Sequence, residues 1–185
     1  MAKGNLELAR EEQDDPLLED ATDALDRMEA LVDSLLTLAR EGERVSDLET
    51  VDLETVAESC WTSVATPDAA LRVETDRAIR ADRSRVKQLL SNLYRNAVEH
   101  AGEDVTVTVG DLDDGFYVAD DGPGIPDDDR ERIFESGFTT DDEGTGFGLS
   151  IVAEIAEAHG WTVGATDGET GGARFEVTGV EYAEE

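Results

Sequence analysis

Phe116-Tyr117-Val118-Ala119-Asp120-Asp121-Gly122-Pro123-Gly124-Ile125 is the stretch from which the fold is read. Phe116–Ala119 alternates as a β-strand does. It runs directly into a turn built of aspartate, glycine and proline. Glycines there let the backbone pass close to a flat ligand, and a carboxylate at a strand's end can accept a hydrogen bond from an exocyclic amino group such as that of adenine. Taken alone, the same residues also describe an ordinary Asp-Gly-Pro-Gly turn. The flanking sequence must decide between the two.

Upstream, Ser84–His100 carries Val86, Leu89, Leu90, Leu93 and Ala97 at helical spacing. Asn92, Asn96 and His100 lie four residues apart on this helix and so share one face. Paired amide oxygens are hard ligands that suit Mg²⁺, which needs few protein oxygens beside phosphates. One turn further, His100 is placed to donate to a phosphate. The plain reading of the same residues is the polar side of an amphipathic helix. Downstream, Gly144-Thr145-Gly146-Phe147-Gly148-Leu149-Ser150 opens a helix over Gly148–His159 that Gly160 stops. Glycine-rich backbone feeding a helix N-terminus presents free N–H groups and the positive dipole end to an anion. No Gly-Lys-Ser/Thr follows, so this is not a Walker loop; alone it also describes a mobile linker.

The remaining pattern completes a compact unit: a helix over Leu53–Val64, strands over Leu71–Thr75 and Val105–Val109, and a turn around Asp113-Asp114-Gly115. A closing hairpin follows, with strands Trp161–Ala165 and Ala173–Val177 joined through Asp167–Gly172. Without regular βαβ alternation, these elements predict an α+β fold, a two-layer sandwich with a mixed sheet and helices on one face. Ahead of it, Leu6–Glu12 reads as a helical stub ended at Asp14-Asp15-Pro16. A helix follows from about Leu17 to Arg40. Leu18, Ala21, Leu25, Met28, Val32, Leu35 and Ala39 alternate spacings of three and four, the seam of a helical bundle. Leu31 and Leu36 widen that stripe, which a lone helix cannot bury, so a partner chain or further helix is expected.

Composition narrows the function classes. The 185 residues carry 46 acidic against 15 basic side chains, a net charge of −31. No basic stripe exists to release counterions from a nucleic acid. Apolar periodicity persists between the acids, which predicts a folded, self-repelling surface like that of a halophile rather than disorder. The single cysteine, Cys60, excludes an internal disulfide framework and fits a reducing cytoplasm. It reads as a small core residue. No apolar run approaches the roughly 18 residues of a membrane span, so direct membrane contact by this segment is not expected, although a longer parent could be membrane-associated.

In chain order, the Asn92–His100 segment, Asp120–Ile125, Ile133-Phe134-Glu135 and Gly144–Ser150 resemble the N, G1, F and G2 boxes of the Bergerat ATP-binding fold. Histidine kinases, gyrase-type ATPases, MutL and Hsp90 share that fold. The resemblance covers about residues 50–180. It implies an α/β sandwich with ATP under a lid, here roughly Pro126–Glu143. It assigns Mg²⁺ to Asn96 with help from Asn92, and adenine to Asp120. His100, Gly122, Gly124, Ile125, Phe134, Thr145, Gly146, Phe147, Gly148 and Leu149 would line or shape the pocket. Hydrolytic members keep a glutamate four residues before the metal-binding asparagine. Here Asn92 stands in that place and cannot take a proton, which is the histidine-kinase form. Residues 17–40 resemble the second helix of the kinase dimerisation and histidine-phosphotransfer domain.

The departures are specific. No histidine precedes His100, and His100 and His159 are followed by Ala101 and Gly160, not by the Asp or Glu of an acceptor site. His159 reads as a helix C-terminal cap. Asp121 replaces the usual Asn, and Ala173 stands where the family often has Thr. Arg95, Arg130 and Arg132 are the candidates to offset γ-phosphate charge, and the sequence does not choose among them. The expected organisation is a partial phosphotransfer segment over 1–42 that begins just past the acceptor, a linker over 43–50, an ATP-binding catalytic domain over 51–182 and a tail over 183–185. The expected function is transfer of the γ-phosphoryl group of Mg·ATP to a histidine supplied by another segment or chain, then relay to a response-regulator receiver domain, with a homodimer formed through the N-terminal helix. The alternatives are a hydrolytic ATPase, a serine kinase of the anti-sigma type, or a degenerate module that only dimerises or docks.

Overall fold

The computed structural model describes residues 48–64, 66–102, 104–139, 146–169 and 171–183. The expected stub, the helix over 17–40 and most of the acidic linker lie outside the described residues. Strand β1 (Glu49–Asp52) leads into helix α1 (Leu53–Trp61), followed by β2 (Ala70–Glu74), β3 (Ala78–Ala81) and the long helix α2 (Arg83–Ala101). Then come β4 (Thr106–Leu112), β5 (Gly115–Asp120), a single 3₁₀ turn at Arg132–Phe134, helix α3 (Gly148–His159) and the hairpin β6 (Thr162–Asp167) and β7 (Ala173–Thr178).

Five strands form one sheet in the order β2-β4-β5-β7-β6. Only β2 and β4 pair in parallel; the other pairs are antiparallel. The expected mixed sheet is therefore present. Strands β1 and β3 form a separate antiparallel pair, with Glu49 opposite Ala81 and Thr50 opposite Arg80. Glu49 and Thr50 were expected in the linker, but their pairing places them at the edge of the folded unit.

The period of two in each strand explains the layering. Val107 and Val109 of β4, Phe116 and Val118 of β5, and Ala173, Phe175 and Val177 of β7 are buried together with the helices' apolar stripes. Thr108, Tyr117, Arg174 and Glu176, the alternate residues, are only half-buried. All three helices thus cover one face. Burying a side chain the size of Phe116 or Leu89 contributes about 1.5–3 kcal/mol, so the inward register is strongly fixed.

Local chemistry sets the helix ends. Asp52 accepts from Thr55 N at 2.7 Å and caps α1. Asp82 accepts from the backbone N–H groups of Ser84 and Arg85 and caps α2. Such caps are typically worth about 1 kcal/mol each. Gly160 ends α3 in the left-handed conformation that glycine adopts without strain. The expected extension of α1 to Val64 is not seen: after Trp61 the chain continues as turn, with Thr62 Oγ1 bonded to Ser59 O. Cys60 is buried, and burial pushes its thiol pKa up, in keeping with an inert core residue. No helix among the described residues is long and apolar enough to cross a membrane.

Candidate nucleotide site

Alternation delivers Asp120 inward. It shares the β5 face that buries Phe116 and Val118, so a carboxylate arrives where the next side chain of the core would be. Asp120 is 8% exposed. Its Oδ1 accepts from Gly122 N at 2.9 Å and Ala173 N at 3.1 Å. Oδ2 has no hydrogen bond to any of the described residues, which leaves one acceptor edge available. Burial raises the Asp120 pKa above the ordinary carboxylate value; the two N–H donors and His100 oppose that rise, and Asp121 adds to it.

The glycines around Asp120 have distinct reasons. A Cβ on Gly122 would stand 2.3 Å from the Ala101 Cβ, so the turn can rest on the end of α2 only without a side chain. Gly172 is the tightest case. At φ 78°, its hypothetical Cβ would lie 2.0 Å from the Asp120 carbonyl oxygen and 2.7 Å from Oδ1. Gly172 was not among the residues expected at the site. The Gly171-Gly172 pair inside the hairpin turn was the available signal, since paired glycines mark close backbone approach.

Across the layer, α2 presents Asn92 and Asn96 half-buried and His100 exposed at its far end. Asn92 Nδ2 donates to Gln88 O at 2.9 Å. The amide oxygen is thereby turned away from its own helix and lies 3.7 Å from where a Cβ on Gly148 would be. Asn92 and the start of α3 are therefore neighbours. Asn96 has no side-chain hydrogen bond to the described residues. Phe147 precedes α3 without a side-chain cap, and the first helical bond runs from Ile151 N to Phe147 O. The N–H groups of Gly148, Leu149 and Ser150 thus lack intrahelical acceptors.

Ile125, Phe134, Phe147 and Leu149 are partly buried against the core, and Phe134 meets Phe175 edge-on at 6.5 Å between centroids. Gly124 packs its backbone on Gly172, with a would-be Cβ 3.2 Å from Gly172 O. Gly137 N donates to Gly146 O at 3.0 Å, and a Cβ on Gly146 would meet the Gly137 backbone at 2.7 Å. This contact joins Gly137, inside the segment expected to form a lid, to Gly146, just past that segment. Thr145, with the rest of 140–145, lies outside the described residues.

Asp121, in the place of the usual Asn, accepts from Thr106 N at 2.8 Å through Oδ1, at the start of β4. Of the three arginines, Arg130 binds Asp127 and Asp167, and Arg132 sits near Asp129 and over the Phe138 ring. Arg95 is exposed and has no ion pair with the described residues.

Comparison with known proteins agrees with this geometry. Residues 81–181 match the family described as histidine kinase-, DNA gyrase B- and HSP90-like ATPase. The chain is 36% identical over 162 residues to the sensor histidine kinase ZraS of Escherichia coli O157:H7, an alignment covering 81% of this chain and 35% of that protein. It is 37% identical over 123 residues to the adaptive-response sensory kinase SasA of Nostoc sp. strain PCC 7120, covering 59% of this chain and 31% of that one. The chain thus spans about a third of the length of the curated relatives it matches. Among solved structures, full-length ShkA in complex with AMPPNP aligns with a TM-score of 0.70 at 30% identity, covering 92% of this chain and 39% of that one. The ATP-binding domain of PrrB from Mycobacterium tuberculosis aligns at 0.59 and 25% identity, covering 75% and 100%. On the strength of a family match over more than half its length, the chain belongs to the histidine kinase-, DNA gyrase B- and HSP90-like ATPases, and its ATPase domain is of the kind that sensor histidine kinases carry.

Proposed function

We propose that this chain binds Mg·ATP at the Asp120–Asn96–α3 site and donates the γ-phosphoryl group to a histidine imidazole of another segment or another chain. The single observation that carries the reading is the approach of the Asn92 amide oxygen to Gly148. It sets an amide side chain beside an uncapped helix start, with no carboxylate at position 92 to activate water. That arrangement favours phosphate held for a protein nucleophile over hydrolysis.

The residues suit the ligand. Asp120 offers its unbonded Oδ2 to the adenine amino group, and Ile125, Phe134 and Leu149 supply apolar lining. The α3 N–H groups face the phosphates as donors. Asn96, half-buried and without a side-chain hydrogen bond to the described residues, supplies the amide oxygen for Mg²⁺, with Asn92 beside it. Among the described residues no cluster of three or more His, Cys, Asp or Glu is arranged to hold a metal, so amide and phosphate oxygens would be the ligands. When bound, Mg²⁺ neutralises charge on the β- and γ-phosphates. The chain's own part is positioning: the bond from the γ-phosphorus to the ADP oxygen breaks as a bond to an imidazole nitrogen forms, and ADP leaves. From the phosphohistidine, the phosphoryl group passes to a response-regulator aspartate. Neither His100 nor His159 precedes the acid of an acceptor site. His159 has both ring nitrogens engaged, near Asp82 N at 3.1 Å and Ile155 O at 2.8 Å. Dimerisation through residues 17–40 would bring an acceptor helix of a partner within reach, in a cytoplasmic setting of high salt.

Calorimetric titration with Mg·ATP in about 1 M KCl, where the Debye length is about 3 Å, tests the reading. Saturable binding by the wild type and none by Asp120→Ala is expected. A folded wild type that binds no nucleotide would leave a module that acts by docking alone.

A further inference from the structure

Behind Asp120, three separate segments meet. The β6–β7 turn is folded on itself by Gly168 N to Gly172 O and Gly171 N to Gly168 O, each 3.1 Å. It places Gly172 against the Asp120 backbone and carboxylate. The Gly122–Asp127 loop lies on the same turn through Gly124. Asp120 Oδ1 ties the start of the loop to the strand after the turn, through Gly122 N and Ala173 N. Further along both segments, Arg130 is a second side chain that spans them. Its Nη2 lies 2.6 Å from Asp167 Oδ1, at the end of β6, and 2.8 Å from Asp127 Oδ1, while Nε donates to Ile125 O at 3.3 Å. The arginine side chain is 25% exposed, against 86% and 72% for its two carboxylates.

We infer that Arg130 is a positioning residue for the base pocket: it clamps the Gly122–Asp127 loop to the β6–β7 turn and so fixes Asp120 and Ile125 around adenine. The inference rests on the nucleotide-binding reading of Asp120. An exposed ion pair contributes little stability by itself. A planar fork tied to two carboxylates and a carbonyl has a geometric effect instead, because the guanidinium sets the distance between segments. Arg130 then acts on every adenine compound alike, whatever phosphates follow, and does not serve as a γ-phosphate contact.

Competition titrations with adenosine, ADP and Mg·ATP in about 1 M KCl, on wild type, Arg130→Gln, Asp167→Asn and the double variant, separate these roles. Arg130→Gln is expected to weaken all three ligands by a similar factor, about five- to ten-fold. Asp167→Asn, at an exposed site that leaves the core untouched, is expected to weaken them in the same direction. The two substitutions change net charge oppositely, so a field effect on anionic ligands would move them apart. The double variant is expected to lose little more than either single one, as for partners in one contact. A loss confined to ATP, a loss that grows from adenosine to ATP, or unchanged affinities would overturn the inference. Absence of adenine binding by the wild type would instead overturn the function on which it rests.

Discussion

At Asp120 the requirements of stability and of the proposed adenine contact oppose each other. Alternation along β5 forces this carboxylate into the layer that holds Phe116 and Val118, and burial raises its pKa. A carboxyl whose folded pKa exceeds its unfolded value binds more protons when folded. Stability is therefore lost as pH rises through that window, and at neutral pH the ionised group is a net cost. Asp120→Asn keeps an oxygen for Gly122 N and Ala173 N while removing the charge. The variant is expected to melt higher than wild type, by up to about 1 kcal/mol. It is also expected to bind Mg·ATP roughly thirty-fold more weakly, because its amide would present a donor to the adenine amino group, a loss of about 2 kcal/mol. Thermal melts and titrations on the same samples check both halves; a variant less stable than wild type would mean that the charge is compensated by something other than these two N–H groups. The place of Asp120 at a strand's end was legible because alternation ran into Gly-Pro-Gly. Gly172 was not, because its need for a bare α-carbon arises only where β7 is laid beside β5, 52 residues away in sequence.

Among the elements, α2 and α3 carry the halves of the proposed phosphate site, and they are joined at their opposite ends by His159. Its ring stacks on Trp161 at 4.1 Å. Nδ1–H donates to Ile155 O, and Nε2 accepts from Asp82 N, the residue that caps α2. The imidazole must be neutral to do both. Burial lowers its pKa below the ordinary 6.5; the Ile155 bond and Asp82 oppose that shift, and Arg85 adds to it. A histidine with a depressed folded pKa contributes stability that is fully present above about pH 6.5 and is lost as pH falls toward the folded value. Wild type is thus expected to lose stability between pH 7.5 and 5.5 faster than His159→Gln, whose amide can accept from Asp82 N without titrating. The variant should lie within about 1 kcal/mol of wild type at pH 7.5. Parallel melting curves across that range would show that the imidazole does not titrate in this contact. The long elements α2 and α3 were readable because their apolar stripes repeat over several turns, whereas β1 and β3 were not. Each has four residues, too few for alternation to register, and the buried Val51 and Ile79 meet only when the two short strands pair. His159 was expected to cap α3, but Gly160 is the cap and the ring bonds Ile155 O one turn back; its bond to α2 depends on a contact 77 residues away.

Over the whole molecule, −31 charges on 185 residues set the conditions under which every smaller contact operates. The described fold neutralises few of them: its ion pairs, such as Arg83 with Glu49 and Arg130 with Asp127, involve half-exposed or exposed partners of the kind that contribute little each. Self-repulsion therefore acts on the folded state at low salt and weakens as the Debye length shrinks from about 10 Å at 0.1 M to about 3 Å at 1 M. Denaturant stability is expected to rise by several kcal/mol, to order of magnitude, between about 0.1 and 2 M KCl. The same field repels a nucleotide anion, so Mg·ATP affinity should also increase with KCl, opposite in sign to a site that attracts phosphate through a basic surface. Sucrose at fixed low ionic strength provides the control, since it strengthens burial without screening charge. If sucrose restores stability and affinity as fully as KCl does, the deficit lies in a small core and not in the acidic surface. If KCl alone restores the affinity, the acidic surface sets the salt range in which Asp120, Asn96 and the α3 N-terminus can hold a nucleotide.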